Sequence, residues 1–203
     1  PRPRAATRAG VGLETGGRVW DPMGFATFSD ESLTWFRACE LKHGRVAMAG
    51  FVGYIIHENG IHWPWKGPWD SIPTDISPQE MWDLTPEAAK WQIILTLGFF
   101  ELWREDAYVL EKDGQTHYMR GGKPGYYPSL KEADGVPHPV PFDLFNPFGL
   151  LPEQTEAQKE RGRNVEINNG RAAMLGIFGN MVAEAQTGQT LGEQMGAGNM
   201  IPF

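Results

Sequence analysis

Residues 40–53 read ELKHGRVAMAGFVG, and residues 166–179 read EINNGRAAMLGIFG. The two stretches are identical at half of their positions, including a glutamate, an arginine and three glycines. Each follows a similar turn upstream, WDPMGF at residues 20–25 and FNPFGL at residues 145–150. A loop followed by a helix has been duplicated, which predicts two related helices arranged about a pseudo-twofold axis.

Helix start signals and apolar patterning predict an all-α fold with three long helices. The predicted helices cover residues 32–57, 86–110 and 153–187. The middle helix has the clearest start, because Thr85 can cap it and Pro86 suits its first position. The first helix would be about 40 Å long at 1.5 Å per residue, enough to cross a bilayer with some tilt.

The segments outside these helices contain many turn-forming residues. We interpret residues 1–30 as an irregular arm, residues 58–86 as a loop close to an interface, and residues 112–152 as a long connection. A structureless loop of that length is unusual unless it binds something. After Gly188, a short amphipathic turn or helix can form.

The bulk composition by itself describes an ordinary soluble protein of 203 residues, with 41% apolar residues and a mean hydropathy of −0.39. This length allows one domain or two very small ones. A net charge of −7 without a basic stripe argues against nucleic acid as a partner. The single cysteine, Cys39, excludes an internal disulfide. Since the sequence begins at Pro1 and not at a methionine, we expect a processed form.

The placement of basic residues points to a membrane instead. Four arginines precede the first helix and seven basic residues lie between the end of the second helix and the second copy of the repeat, whereas Lys66 is alone in the first connection. Three crossings with the N-terminus on the basic side reproduce this asymmetry. Hydropathy alone favours a soluble protein, because no window of eighteen uninterrupted apolar residues occurs. If the three helices do cross a membrane, the charged residues inside the first and third helices need partners.

The glutamates and arginines of the repeat can supply those partners. Glu40 and Arg45 are five residues apart, as are Glu166 and Arg171, so neither pair faces itself well on one helix. Crossed helices would bring Glu40 to Arg171 and Glu166 to Arg45, and each pair would neutralise a buried charge. The glycines of the repeat allow backbones or a large flat ligand to come close. The alternative is a soluble bundle with ordinary surface ion pairs.

His43 and Asn169 occupy equivalent positions, three residues after each glutamate and therefore on the same helical face. A carboxylate, an imidazole and an amide oxygen can each donate an axial bond to Mg²⁺. An alternative is a soluble di-iron enzyme, because Glu40 and His43 form the Glu-x-x-His pattern of carboxylate-bridged metal sites. That alternative needs a second Glu-x-x-His, and Asn169 stands at the corresponding position.

The doubled element, with each copy behind an Asp/Asn-Pro-x-Gly loop, resembles the chlorophyll-binding light-harvesting antenna family of thylakoids over nearly the whole chain. The resemblance implies an integral membrane protein with three transmembrane helices, the first and third tied by the two crossed ion pairs. It implies chlorophyll magnesium ligated by Glu40, His43, Glu166 and Asn169. The loops that begin at Asp21 and Asn146 would hold the ends of two carotenoids.

In the middle helix, the resemblance implies a magnesium ligand at Glu101, balanced by Arg104, and a further ligand at Gln92. The spacing from Gln92 to Glu101 is one residue longer than the family pattern. Members also commonly have a glutamine fourteen residues after the asparagine ligand, where this chain has Ala183 followed by Glu184. That pigment site is lost, ligated through water, or moved to Glu184.

Two further histidines, His57 and His117, are candidates for extra ligands. Both lie near helix ends or in loops, where the other interpretation is a solvated or interfacial side chain.

The predicted function is non-enzymatic, namely light harvesting with transfer of excitation energy to a photosystem. The segment from Lys112 to Leu150 resembles chlorophyll a/c antennae of the red lineage, dinoflagellates in particular. This implies chlorophyll a, chlorophyll c, carotenoids such as peridinin or diadinoxanthin, and lipid. The implied location is the chloroplast thylakoid membrane, with a stromal N-terminus, beside a photosystem core and neighbouring antenna subunits. A photoprotective, energy-dissipating relative with the same pigments is the remaining alternative.

Overall fold

The computed structural model describes residues 10–11, 16–61, 64, 72–73, 76–131, 146, 150, 152 and 154–196. Every regular element within these residues is helical, so the all-α prediction is confirmed for this part of the chain. The helices are α1 (Asp30–Glu58), α2 (Pro78–Leu84), α3 (Glu87–Glu105), α4 (Ala107–Lys112), α5 (Glu156–Thr187) and α6 (Leu191–Gly196). Short 3-10 turns cover Phe25–Thr27 and Tyr118–Arg120. In the described part, none of the helices has both the length and the apolar character required of a membrane span.

The middle helix predicted over residues 86–110 is divided at Asp106. Helix α3 ends at Glu105, and the Asp106 carboxylate then accepts the backbone N–H groups of Tyr108 at 2.8 Å and Val109 at 3.3 Å. Asp106 has an extended backbone and acts as the N-cap of α4. The observed boundary corrects the predicted one, because aspartate favours a cap over a helix interior.

Capping boxes fix the starts of two helices. Ser77 accepts the Glu80 backbone N–H at 3.2 Å, and the Glu80 carboxylate accepts the Ser77 N–H at 3.4 Å, so α2 forms inside the segment interpreted as a loop. Thr155 and Gln158 make the same reciprocal bonds at the start of α5. Helix α6 follows Gly188, where a short helix is expected.

The chain forms two compact units, of which unit 1 comprises Pro1–Lys42 and Leu95–Asn168. Among its described residues, the buried apolar side chains are Ala38, Trp103, Leu110, Leu130 and Ile167. Two aromatic groups add to this packing. The rings of Phe25, Phe28 and Phe36 lie 5.4–6.1 Å apart, and the Trp103 ring lies 6.4 Å from Phe100 and 5.9 Å from Tyr127.

Unit 2 comprises His43–Ile94 and Asn169–Phe203. Tyr54 is its buried apolar side chain within the described residues, and Glu184 and Gln194 are buried polar ones. Here α1 and α5 pack through glycines and few large side chains. In the described residues of the two units together, six apolar side chains are buried.

Candidate functional site

The two repeated stretches touch at their first glycines. A Cβ atom on Gly44 would lie 3.0 Å from the Cα of Gly170, and one on Gly170 would lie 2.9 Å from the Cα of Gly44. Farther along α5, a Cβ on Gly176 would lie 3.2 Å from the ring of Phe51. Side chains larger than hydrogen do not fit at the first contact, so the glycines of the repeat permit α1 and α5 to meet.

His43 and Asn169 directly precede the touching glycines, and both side chains are exposed. The imidazole of His43 or the amide oxygen of Asn169 would supply an electron pair to the magnesium of a ring-shaped cofactor. The donor set therefore fits a ring-bound magnesium. Among the described residues, no group of three or more His, Cys, Asp or Glu side chains could hold a metal ion.

The charged residues of the repeat are partly buried. Glu40 and Glu166 are intermediate in exposure, as are Arg45 and Arg171. Within α1, Glu40 pairs with Arg37 at 2.5 Å, one turn earlier on the helix. Sequence reasoning missed this local partner, although a separation of three residues is a helical pairing signal. The two crossed ion pairs stay a prediction.

On α3, the charge partner of Glu101 differs from the expected one. Glu101 pairs with Lys42 of α1, and both side chains are nearly half exposed. Arg104 lies instead with its guanidinium carbon 5.8 Å from the centre of the Tyr127 ring, and in the described part of the chain it has no ion pair with Glu101. Lys42 is 59 residues from Glu101, a separation that carries no helical spacing signal. Gln92 is exposed on the same helix.

Asp21 holds its own loop together. Its two carboxylate oxygens accept the backbone N–H groups of Phe25 at 2.9 Å and Ala26 at 2.7 Å, which fixes the first 3-10 turn. A carotenoid contact at Asp21 stays a prediction. Asn146 is intermediate in exposure, and residues 145 and 147–149 of its loop lie outside the described residues.

Glu184, the candidate for a displaced pigment ligand, is buried within unit 2. Its carboxylate accepts hydrogen bonds from the Tyr54 hydroxyl and from the Gln79 amide, the latter at 2.9 Å. Glu184 thereby links α5 to α1 and α2. Sequence reasoning missed Tyr54 and Gln79, because they are 130 and 105 residues from Glu184 along the chain.

Both ring nitrogens of His117 are engaged. Nε2 is hydrogen-bonded to the Glu105 carboxylate, and Nδ1 accepts the Met119 backbone N–H at 3.2 Å. Because Nδ1 accepts, Nε2 carries the proton, and neither nitrogen offers a lone pair to magnesium. This corrects the suggested ligand role of His117, which caps the turn Tyr118–Arg120. His57 is exposed in the last turn of α1.

Large apolar side chains are exposed on all three long helices. The exposed apolar residues of helix α3 are Trp91, Ile93, Ile94, Leu95, Leu97, Phe99 and Leu102. At 100° per residue these positions surround most of the helix. Exposed apolar surface of this extent is typical of contact with lipid or apolar ligands.

Comparison with known proteins agrees with this chemistry. Residues 6–185 match the family described as Chlorophyll A-B binding protein. The chain is 32% identical, over 81% of its length and 72% of the relative, to "Fucoxanthin-chlorophyll a-c binding protein, chloroplastic" of Trieres chinensis. It is 31% identical, over 81% of its length and 73% of the relative, to fucoxanthin-chlorophyll a-c binding protein F of Phaeodactylum tricornutum. It is 30% identical, over 84% of its length and 70% of the relative, to fucoxanthin-chlorophyll a-c binding protein E of Macrocystis pyrifera.

Proposed function

The chain belongs to the chlorophyll A-B binding protein family, and from this premise we propose that it is a light-harvesting antenna. It binds chlorophylls and carotenoids and passes excitation energy to a photosystem. The role is that of a scaffold and not of an enzyme, since the bound pigments absorb the light and the protein supplies ligands, spacing and local charge.

One observation within the chain carries this proposal. Gly44 and Gly170 touch, while the preceding residues His43 and Asn169 present exposed ligand-type side chains. Because the contact brings the two helix backbones together, it would hold these two ligand-type side chains at a set separation. Fixed separation is what energy transfer between pigments requires of a scaffold.

We assign the magnesium ligands by their donor chemistry. They are Glu40, His43, Glu101, Glu166 and Asn169, with Gln92 as a further pigment contact. Glu40 is paired with Arg37 and Glu101 with Lys42, and a carboxylate oxygen of either residue would supply an electron pair to magnesium. Chlorophyll would supply the chromophore, and the exposed apolar side chains of the long helices would cover its ring.

The proposed pigments are chlorophyll a, a chlorophyll of the c type and a xanthophyll. The names of the relatives specify fucoxanthin and chlorophylls a and c. Peridinin or diadinoxanthin as the carotenoid stays a prediction, and chromatography of the extracted pigments identifies which xanthophyll is bound.

Three membrane-spanning helices, α1, α3 and α5, are part of the proposal. The shortest, α3, has 19 residues and is about 28 Å long, close to the roughly 30 Å of a hydrocarbon core. Two of the charged residues within these helices, Glu40 and Glu101, are each paired with a basic side chain. Pairing lowers the cost of placing a charge inside a membrane. The exposed apolar residues of α3 provide the lipid-facing surface.

The proposed location is the chloroplast thylakoid membrane, and the curated relatives are named as chloroplastic proteins. The ranges that form unit 1 contain 14 of the 18 lysines and arginines, so the positive-inside rule supports a stromal position for unit 1 and the N-terminus. The proposed protein partners are a photosystem core and neighbouring antenna subunits. Lipid would contact the rest of the membrane-facing surface.

The test is reconstitution of the recombinant chain in detergent with chlorophyll a, chlorophyll c and xanthophylls. We expect several chlorophylls per chain, and excitation of the carotenoid should produce chlorophyll a emission. His43→Leu and Asn169→Leu should each remove about one chlorophyll, since each deletes one axial ligand. Gln186→Leu, an exposed amide elsewhere on α5, is the matched control and should keep the full number. Unchanged pigment numbers in both ligand variants would contradict the assignment.

The same preparation separates the alternatives. A quenching relative would shorten its chlorophyll fluorescence lifetime at low pH, whereas a harvesting antenna keeps its lifetime. A di-iron enzyme would bind two iron ions and no chlorophyll. The matched family and relatives give no support to either alternative.

A further inference from the structure

Glu101, one of the proposed magnesium ligands, is paired with a cation from another helix. Lys42 of α1 donates through Nζ to the Oε2 atom of the Glu101 carboxylate, and both residues belong to unit 1. The other carboxylate oxygen, Oε1, makes no hydrogen bond within the described residues. The ion pair therefore occupies one oxygen and leaves the electron pairs of the second oxygen available.

Arg104, the cation that the family resemblance pairs with Glu101, lies against a loop residue instead. Its guanidinium carbon is 5.8 Å from the centre of the Tyr127 ring, and the Tyr127 hydroxyl donates to the carbonyl oxygen of Phe100 at 3.2 Å. Burial, and then the negative charge of Glu101, raises the pKa of Tyr127, while Arg104 lowers it. Both charges act on the tyrosine, but the ion pair of Glu101 in the described residues comes from α1.

The surface of α3 beside the Glu101 carboxylate is open and apolar. Gly98 lies one turn before Glu101, and a Cβ atom added there would have nothing within 4 Å. Leu97, four residues before Glu101 and on the same face of the helix, is 60% exposed. A flat apolar ring can approach the carboxylate over such a face.

A carboxylate that ligates chlorophyll adds charge to its site. The negative charges of the macrocycle already balance the magnesium ion, so the carboxylate makes the site negative overall. The Lys42 and Glu101 side chains are 42% and 45% exposed, and an ion pair exposed to water contributes little. Once a pigment ring and lipid cover the pair, however, an unpaired carboxylate becomes costly. A bound pigment would therefore make the lysine necessary.

We propose that Lys42 is a positioning residue for the magnesium ligand Glu101. Its ammonium group holds Oε2, leaves Oε1 to bind the metal, and balances the charge that the carboxylate adds. This inference rests on the proposed function. It gives a lysine of α1 the role that the family resemblance assigns to Arg104.

The experiment reconstitutes the full chain with chlorophylls and xanthophylls, counts chlorophyll per chain and records the red absorption band of chlorophyll. The variants are Lys42→Met, Lys42→Arg, Glu101→Leu and the double variant Lys42→Met/Glu101→Leu. Lys159→Met is the matched control. Lys159 forms an ion pair with Glu156 at 3.0 Å in the same unit, and Glu156 is exposed and is not among the proposed ligands.

We expect Lys42→Met and Glu101→Leu each to lose about one chlorophyll per chain and the same component of the red band. The double variant should lose no more than either single variant, because both changes empty one site. Lys42→Arg should keep the chlorophyll number and shift that component, since a guanidinium group distributes its charge differently from an ammonium group. Lys159→Met should match the unmodified chain in number and spectrum.

Glu101→Gln separates a charge role of Lys42 from a purely structural one. An amide oxygen can ligate magnesium without adding a negative charge, so Lys42→Met should cost no further chlorophyll in the Glu101→Gln chain. A lysine that only packed α1 against α3 would still be needed there, and its removal would again lower the chlorophyll number.

Full chlorophyll number with an unchanged spectrum in Lys42→Met would overturn the proposal. So would a double variant that loses about twice as much chlorophyll as either single variant. If Lys42→Met does not assemble, the same change in the Glu101→Gln chain decides: recovered assembly supports the charge role, and continued failure overturns it. An unmodified chain that binds no chlorophyll would refute the antenna function itself, so the two failures are distinguishable.

Discussion

Replacement of Gly170 by alanine tests the helix contact on which the proposed site depends. The added methyl group would lie 2.9 Å from the Cα of Gly44, whereas carbon atoms pack best at about 3.5–4.0 Å. The obstacle is backbone and cannot rotate away, so the helices must separate by about 0.5–1 Å. Strain of this kind costs about 1–3 kcal/mol.

Helix propensity opposes this cost and needs a matched control. Alanine stabilises a helix interior over glycine by about 0.5–1 kcal/mol. Gly162 lies on the same helix with nothing within 4 Å of an added Cβ, so Gly162→Ala shows the propensity gain alone. The difference in unfolding free energy between the two variants therefore isolates the contact, and we expect about 1–3 kcal/mol. Gly176→Ala should fall between them, because the Phe51 ring can shift.

The assay is denaturant unfolding of the pigment-loaded protein in detergent, followed by chlorophyll circular dichroism. Equal unfolding free energies for Gly170→Ala and Gly162→Ala, within about 0.5 kcal/mol, would refute the glycine contact. Pigment content is counted in parallel, since separated helices would also move His43 and Asn169 apart.

Three further predictions concern single interactions. Tyr54→Phe should lower the unfolding free energy by about 1–3 kcal/mol in denaturant titration, because the buried Glu184 carboxylate loses a donor; no change would show that the bond is unimportant. Asp106→Ala should cost about 0.5–2 kcal/mol by removing the cap of α4, and Asp106→Asn should recover most of it in the same assay. Tyr127 has a folded-state pKa above its unfolded value of about 10, so its contribution to stability is complete below pH 10 and is lost as pH rises above it. Unfolding free energy measured against pH should fall less steeply for Tyr127→Phe, and identical slopes would contradict the buried phenol.

Local signals in the sequence account for most of the helical elements. Residues 32–57 and 153–187 cover nearly the same chain as α1 and α5, since capping residues and apolar patterning act over a few neighbours. The same kind of signal was available for α2, where Ser77 and Glu80 form a capping box, and for the break at Asp106. Both features lie in short elements, where periodicity is too brief to be distinctive.

Charge partners were less predictable than helices. Lys42 pairs with Glu101, whereas Arg104, the partner implied by the family resemblance, lies against Tyr127. His117 pairs through Nε2 with the Glu105 carboxylate and accepts the Met119 backbone N–H at Nδ1, so its partners come from a helix and from its own turn. Several basic side chains can reach one carboxylate from different elements, and only the packing of those elements selects among them.

The duplicated element, the all-α class and the residue types able to ligate magnesium follow from the amino-acid sequence alone, because they depend on composition and on spacing along one helix. Helix packing brings Gly44 against Gly170, Tyr54 and Gln79 to Glu184, and Lys42 to Glu101. These contacts join positions up to 130 residues apart. They follow from how helices pack, and local periodicity carries no information about which distant side chain will arrive at a given position.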